Sequence, residues 1–118
     1  MITEPPIKPA IWVGSSWKDL REFPETVQDH IGYALYVAQQ GRKHQAAQVL
    51  TGFGGGGVVE IIEDYRGDTF RAVYTVRFDV LHAFQKKSKV GRETPRRDMD
   101  LIRKRLREAE QIAKELRP

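Results

Sequence analysis

Arg71 and Arg77 stand six residues apart in the run Phe70-Arg71-Ala72-Val73-Tyr74-Thr75-Val76-Arg77-Phe78. If that run is a strand, their shared parity projects both from one face, with Val73 and Thr75 between them. The opposite parity carries Phe70, Ala72, Tyr74, Val76 and Phe78, the better core face. A guanidinium can hold two phosphoryl oxygens and stabilise charge that develops as a phosphodiester is cut. Lys86 and Lys87 end the next strand and Lys89 follows in a loop; a lysine there can steady a phosphate or, with a lowered pKa, move a proton. His82 has an unperturbed pKa near neutrality, suited to the proton that RNA hydrolysis takes from a 2′-hydroxyl or delivers to a 5′-oxygen. Each residue also has a plainer use. Arg71 can pair with Glu60 or Glu63, the lysines can form a solvated run, and His82, with Val80 and Phe84 as parity neighbours, can be a buried structural histidine.

The charge distribution favours a polyanion. From Lys86 to Pro118 the chain holds 12 Lys/Arg against 6 Asp/Glu, while residues 1–85 hold 8 against 10. A basic segment on a slightly acidic body fits RNA or an acidic protein partner. Arg92, Arg96, Arg97, Arg103, Lys104, Arg105 and Arg107 can track phosphates. Arg42 and Lys43 can add to the same surface or simply sit favourably at a helix end. With no cysteine, disulfides, thiol nucleophiles and Cys-based zinc sites are excluded. His30, His44 and His82 are too dispersed in sequence to suggest a metal site, and no cofactor is expected. Gly54 to Gly57 lacks the Gly-Lys-Ser/Thr ending of a nucleotide loop and leads into a strand. No run has the length to cross a membrane, and Ile2 to Ala10 does not read as a signal peptide. A cytoplasmic location is the expectation.

The elements that must position these residues fit one domain over residues 1–118, after an irregular leader of about ten residues. Ile11-Trp12-Val13 predicts a short strand, and Ser16 with Asp19 has capping-box spacing. Pro24 suits a first helical turn. Val27, Ile31, Leu35 and Ala38 then recur at helical spacing up to Gly41. Arg42 to Leu50 predicts a second short helix with Ala46, Ala47 and Leu50 inward. After the glycines the period becomes that of strands: Val58–Ile62, Phe70–Phe78 and Val80–Gln85, an antiparallel meander with one packed and one partly polar face. Thr94-Pro95 predicts the start of a basic C-terminal helix with an apolar stripe of Met99, Ile102, Leu106, Ala109, Ile112 and Leu116. The fold class is α+β: N-terminal helices on a small antiparallel sheet, with a basic C-terminal helix.

The run Gly52 to Glu60, then Tyr65 to Tyr74, then Leu81-His82-Ala83-Phe84-Gln85-Lys86-Lys87-Ser88 and Thr94-Pro95, resembles the phage-derived Gp49-like branch of the RelE/ParE toxin superfamily, which includes HigB-type toxins. The resemblance covers roughly residues 11–112 and rests on the combination of these pieces. It implies a RelE-like fold and an endoribonuclease toxin that cleaves mRNA, often on the ribosome, and is neutralised by a helix-turn-helix antitoxin. Arg71 resembles the strand arginine that contacts the scissile phosphate, and Lys86 and Lys87 fall where basic residues face it. No tyrosine follows Tyr74, whereas some relatives use a C-terminal one, so the resemblance does not name the general acid or base. Two other readings stay open: a ParE-like poison of DNA gyrase, and a non-catalytic RNA- or protein-binding module.

Overall fold

The computed structural model describes residues 8–55, 57–86 and 94–116. In chain order these form β1 (Ile11–Trp12), α1 (Ser16–Arg21), α2 (Glu25–Gln39), β2 (Ala47–Val49), β3 (Val58–Tyr65), β4 (Asp68–Thr75), β5 (Asp79–Lys86) and α3 (Arg96–Glu115). The architecture is α+β: one five-stranded sheet in the order β1-β5-β4-β3-β2, with α1 and α2 on one face and α3 on the other.

Helix α2 follows its sequence period. Val27, Ile31, Ala34, Leu35 and Ala38 are buried against Ile61, Ala72, Tyr74 and Ala83 of the sheet. Full burial of an aliphatic side chain of this kind is worth about 1.5–3 kcal/mol. The helix ends because Gly41 takes φ +81°. Its N–H donates to the Ala38 carbonyl and that of Arg42 to the Val37 carbonyl, so the last carbonyls are satisfied as the chain reverses. Pro24 and Pro95 occupy the N-cap positions of α2 and α3, one residue earlier than expected. Ser15, not Ser16, occupies the N-cap position of α1, and its hydroxyl donates to Asp19 Oδ2 at 2.7 Å rather than capping a backbone N–H; fully buried Ser16 instead donates to the Val80 carbonyl at 3.0 Å.

The predicted helix over residues 42–50 is instead an irregular segment leading into the short strand β2. Ala47 and Leu50 are both buried but belong to different cores, as an odd spacing in extended chain requires. Their i, i+3 spacing imitates a helix face because the sheet is covered on both sides. The edge of β3 supplies the stronger pull, since β2 pairs with it from Ala47↔Ile61 to Val49↔Val59 and satisfies backbone groups that a helix would leave unpaired there. The sheet is also mixed rather than antiparallel, because β1 runs parallel to β5.

The meander itself is present. Arg66 (φ +51°) and Gly67 (φ +85°) make the two-residue turn between β3 and β4, with the positive angles of a type I′ hairpin. Strand β4 stops at Thr75, two residues short of Arg77. Val76 is exposed, whereas Phe78, at φ +74°, returns to the core against Tyr74. Between β4 and β5 the register shifts, with Val73↔His82 followed by Tyr74↔Val80. The extra residue, Leu81, is a bulge that exchanges faces. Val80 therefore packs under α2, while His82 and Phe84 face α3.

Helix α3 buries Ile102 and Ala109 against Val13, Val58, Val73, Leu81 and Phe84. Leu116 at its end is 69% exposed. The stripe thus serves the sheet over about its first four turns and leaves its last apolar residue in solvent. In urea denaturation Ile102→Ala is expected to cost about 2–5 kcal/mol. Leu116→Ala should stay within about 0.5 kcal/mol of wild type.

Candidate functional site

On the α3 side of the sheet the central strands carry a buried ion pair. Arg71 Nη1 donates to Glu60 Oε2 at 3.1 Å, with the two side chains 3% and 4% exposed. The same nitrogen donates to Thr94 Oγ1 at 3.1 Å, tying the approach to α3 to the sheet. Gln48 Nε2 donates to the other carboxylate oxygen of Glu60 at 3.0 Å. Cross-strand register makes this set: Glu60 faces Gln48 on one side, and Arg71 lies one row away on the next strand. Above the pair is a groove of about 430 Å³ lined by Gln48, Leu50, Thr51, Glu60, Thr94 and Met99. Glu60 and Thr94 line it, and Arg71 reaches it only through its hydrogen bonds to those two side chains.

Magnitudes separate this pair from the others. Arg103–Asp100 and Lys104–Glu108 lie on the open face of α3, where such pairs contribute about 0–1 kcal/mol. Breaking a buried pair by removing one partner costs about 3–5 kcal/mol, because the remaining charge is left without compensation. Glu60 is thus a site residue that sequence reading treated only as a partner for Arg71. Its apolar neighbours Val59 and Ile61 gave the one signal: a carboxylate inside a strand otherwise fit for burial.

The structure brings Lys86 near this set. It is buried and opposite Thr69, while Arg71 is opposite Phe84; Lys86 and Arg71 are diagonal neighbours on one face, a relation that spans roughly 7–8 Å. Lys87, Lys89 and Arg92 lie outside the described residues. Arg77 does not join Arg71. It sits in the β4–β5 turn, half exposed, with Nε 3.8 Å from Asp79 Oδ2, at the far end of the strand. Arg96 and Arg97 are exposed on the first turn of α3, next to Thr94. Arg42 and Lys43 are exposed beyond the end of α2, which packs on the opposite face of the sheet.

A second polar cluster fastens α3. Arg105, expected on the phosphate-tracking face, is buried. Its Nη1 donates to the Leu81 carbonyl at 3.0 Å and points at His82 Nδ1 at 3.4 Å, and its Nη2 donates to Ser15 Oγ at 2.8 Å. The guanidinium lies so close over Gly14 that a Cβ there would come within 2.7 Å of it. His82 Nε2 is 2.9 Å from Asp98 Oδ1, and the ring stacks on Phe84 at 4.5 Å. A donor at Nδ1 and an acceptor at Nε2 fix the neutral tautomer with its proton on Nε2. Both ring nitrogens are therefore engaged within the fold. Burial lowers the His82 pKa below the ordinary histidine value, against the raising pull of Asp98. Tyr74, buried, has its phenol pushed up.

Among the described residues no group of three or more His, Asp or Glu side chains is placed to hold a metal ion. No helix there is long and apolar enough to cross a membrane.

These features define a small α+β fold whose sheet is covered on both faces and whose groove, of mixed polar and apolar lining, lies beside the start of a basic helix. Residues 18–107 match the family described as phage derived protein Gp49-like (DUF891), and the chain belongs to that family. No curated protein and no solved structure matches it.

The lowered pKa of His82 carries a pH dependence. The unfolded chain takes up this proton more readily than the folded one, so the stabilising contribution is full above the ordinary histidine pKa, about 6.5, and is lost as pH falls below it. Unfolding free energy measured from pH 8 to pH 5 should fall more steeply for wild type than for His82→Gln. Equal slopes would place the pH dependence elsewhere.

Proposed function

We propose that this protein is the toxin of a toxin–antitoxin pair. In this reading it is an endoribonuclease that cuts mRNA, with the ribosome as platform and a helix-turn-helix antitoxin as its neutralising partner. Membership of the Gp49-like family and the basic C-terminal third support the reading. The observation that carries it is a carboxylate and a guanidinium 3.1 Å apart beneath a groove, with Arg96 and Arg97 exposed at the nearby start of α3.

The roles follow from that placement. Arg71 holds a non-bridging phosphate oxygen once RNA displaces Thr94 Oγ1 from its Nη1, and stabilises the charge of the pentacovalent transition state. Glu60, oriented by Gln48 and Arg71, takes the proton from the 2′-hydroxyl. The 2′-oxygen then bonds to phosphorus and the bond from phosphorus to the 5′-oxygen breaks, leaving a 2′,3′-cyclic phosphate. Lys86 or Lys87 delivers the proton to the departing oxygen. His82 is assigned a positioning role, since its lone pair is turned to Arg105 and its proton to Asp98. Arg96 and Arg97 guide the strand to the groove, Arg42, Lys43 and Arg77 touch RNA outside it, and Lys89 and Arg92 are assigned RNA contacts from the sequence alone.

One observation favours the gyrase-poison reading instead: the charge of Arg71 is matched by Glu60, so the cluster is less cationic than a phosphate site built on Arg71 alone. Mapping transcript 5′ ends after brief induction separates the two. Wild type should create new ends within translated codons, opposite fragments ending in cyclic phosphate. Glu60→Gln should cut about 10²–10⁴-fold more slowly, with its melting temperature recorded to separate chemistry from folding. Lys86→Ala/Lys87→Ala should lose the ends as well. Growth arrest with double-strand breaks and no new ends would refute the nuclease reading.

A further inference from the structure

A second surface lies where the chain turns back from α2 into β2. Tyr33 is 58% and Tyr36 41% exposed, a large share for aromatic side chains with no core role. They are three residues apart on one helix face, which puts their Cβ atoms about 5–6 Å from each other. His44 stands edge-on to Tyr33, with ring centroids 5.7 Å apart and planes at 89°. Its Nδ1 accepts the Ala46 N–H at 3.0 Å, which locks the imidazole in place. Arg42 and Lys43, both exposed, precede it directly, and Arg42 Nη2 is steadied by Gln40 Oε1 at 2.6 Å.

The charge is mixed at one end of this surface, where exposed Asp29 stands four residues before Tyr33 on the same helix face, and cationic at the other, where Arg42 and Lys43 have no acidic residue near them in sequence. Residues 30–59 contain no Asp or Glu, and Glu63, the carboxylate at the flank of α2, is engaged by His30 at 2.7 Å. Exposed flat rings beside uncompensated cations match a ligand that carries both π-faces and phosphates. Unstacked bases supply the first and a flexible single-strand backbone the second. A duplex hides its base faces, and an acidic peptide offers charge without a regular series of rings.

We propose that Tyr33, Tyr36 and His44, with Arg42 and Lys43, form a stacking platform for single-stranded RNA, separate from the groove and on the opposite layer of the molecule. The tyrosines take the faces of successive bases and the two cations take the adjoining phosphates. The choice of RNA over DNA rests on the proposed function; the stacking itself does not.

The test uses a fluorescent, unstructured 12-nucleotide strand of 2′-O-methyl RNA, which cannot be cut by its own 2′-oxygen, read by anisotropy with the full chain. Tyr33→Leu/Tyr36→Leu should weaken binding by about fivefold or more, the low end of what stacking contributes. Tyr33→Phe/Tyr36→Phe should bind as wild type does, and an abasic strand of equal charge should bind as poorly as the leucine variant does to the normal strand. Equal binding by the leucine variant, or equal binding of the abasic strand, would overturn the platform, the latter because the patch would then answer to charge alone. Transcript cleavage that persists in the leucine variant would leave the groove assignment standing, so the two can fail separately.

Discussion

The interaction on which the rest of this structure depends is the ion pair between Glu60 and Arg71. Both charges stand on central strands of a sheet covered by helices on each face, so neither can be left to water. The pair constrains its surroundings. Gln48 on the edge strand β2 must reach the second carboxylate oxygen, and Thr94 must come down onto the guanidinium just before α3 begins. Arg105 meets the same constraint farther along α3, where a carbonyl, an imidazole and a serine receive its donors. Helix α3 is thus held by polar bonds at two levels and by Ile102 and Ala109 between and beyond them.

This arrangement explains how a chain with so basic a third can bury part of it. Of the cations on α3, Arg105 serves the fold and Arg96, Arg97, Arg103 and Lys104 face outward. Arg103 also lies over Phe53, 5.6 Å from the ring, which pins the glycine-rich segment between β2 and β3 to the helix. A Cβ on Gly52 would stand 3.4 Å from the end of Met99, whereas one on Gly54, Gly55 or Gly57 would meet open space, so close approach to the sheet does not account for those three glycines.

Much of the architecture was legible because period and packing agree. The spacing from Val27 to Ala38, the alternation from Phe70 to Tyr74 and the Thr94-Pro95 start each named an element that is present. The failures have physical causes. Ala47 and Leu50 looked helical because both faces of the sheet are buried, which removes the polar half of a strand's alternation. The bulge at Leu81 separated Val80 from His82, and parity cannot see an inserted residue. Arg77 was grouped with Arg71 because nothing in the alternation marks the end of β4 at Thr75. At the site, the pairing of Arg71 with Glu60 was among the partners that sequence offered, but its depth was not, since burial of charge depends on a helix from the other end of the chain. Arg105 read as a surface cation for the same reason.

The central claim is that the Glu60–Arg71 pair works on RNA as an oriented base and cation rather than as a neutral strut. The most direct measurement is transcript 5′-end mapping and thermal melting of the exchanged pair, Glu60→Arg/Arg71→Glu. The exchange keeps one buried cation beside one buried anion but moves the carboxylate from a position that lines the groove to one that does not. The account predicts a folded protein that melts cooperatively and produces no new ends. A folded exchange variant that cuts transcripts at the wild-type rate would contradict it and leave the pair a purely structural one.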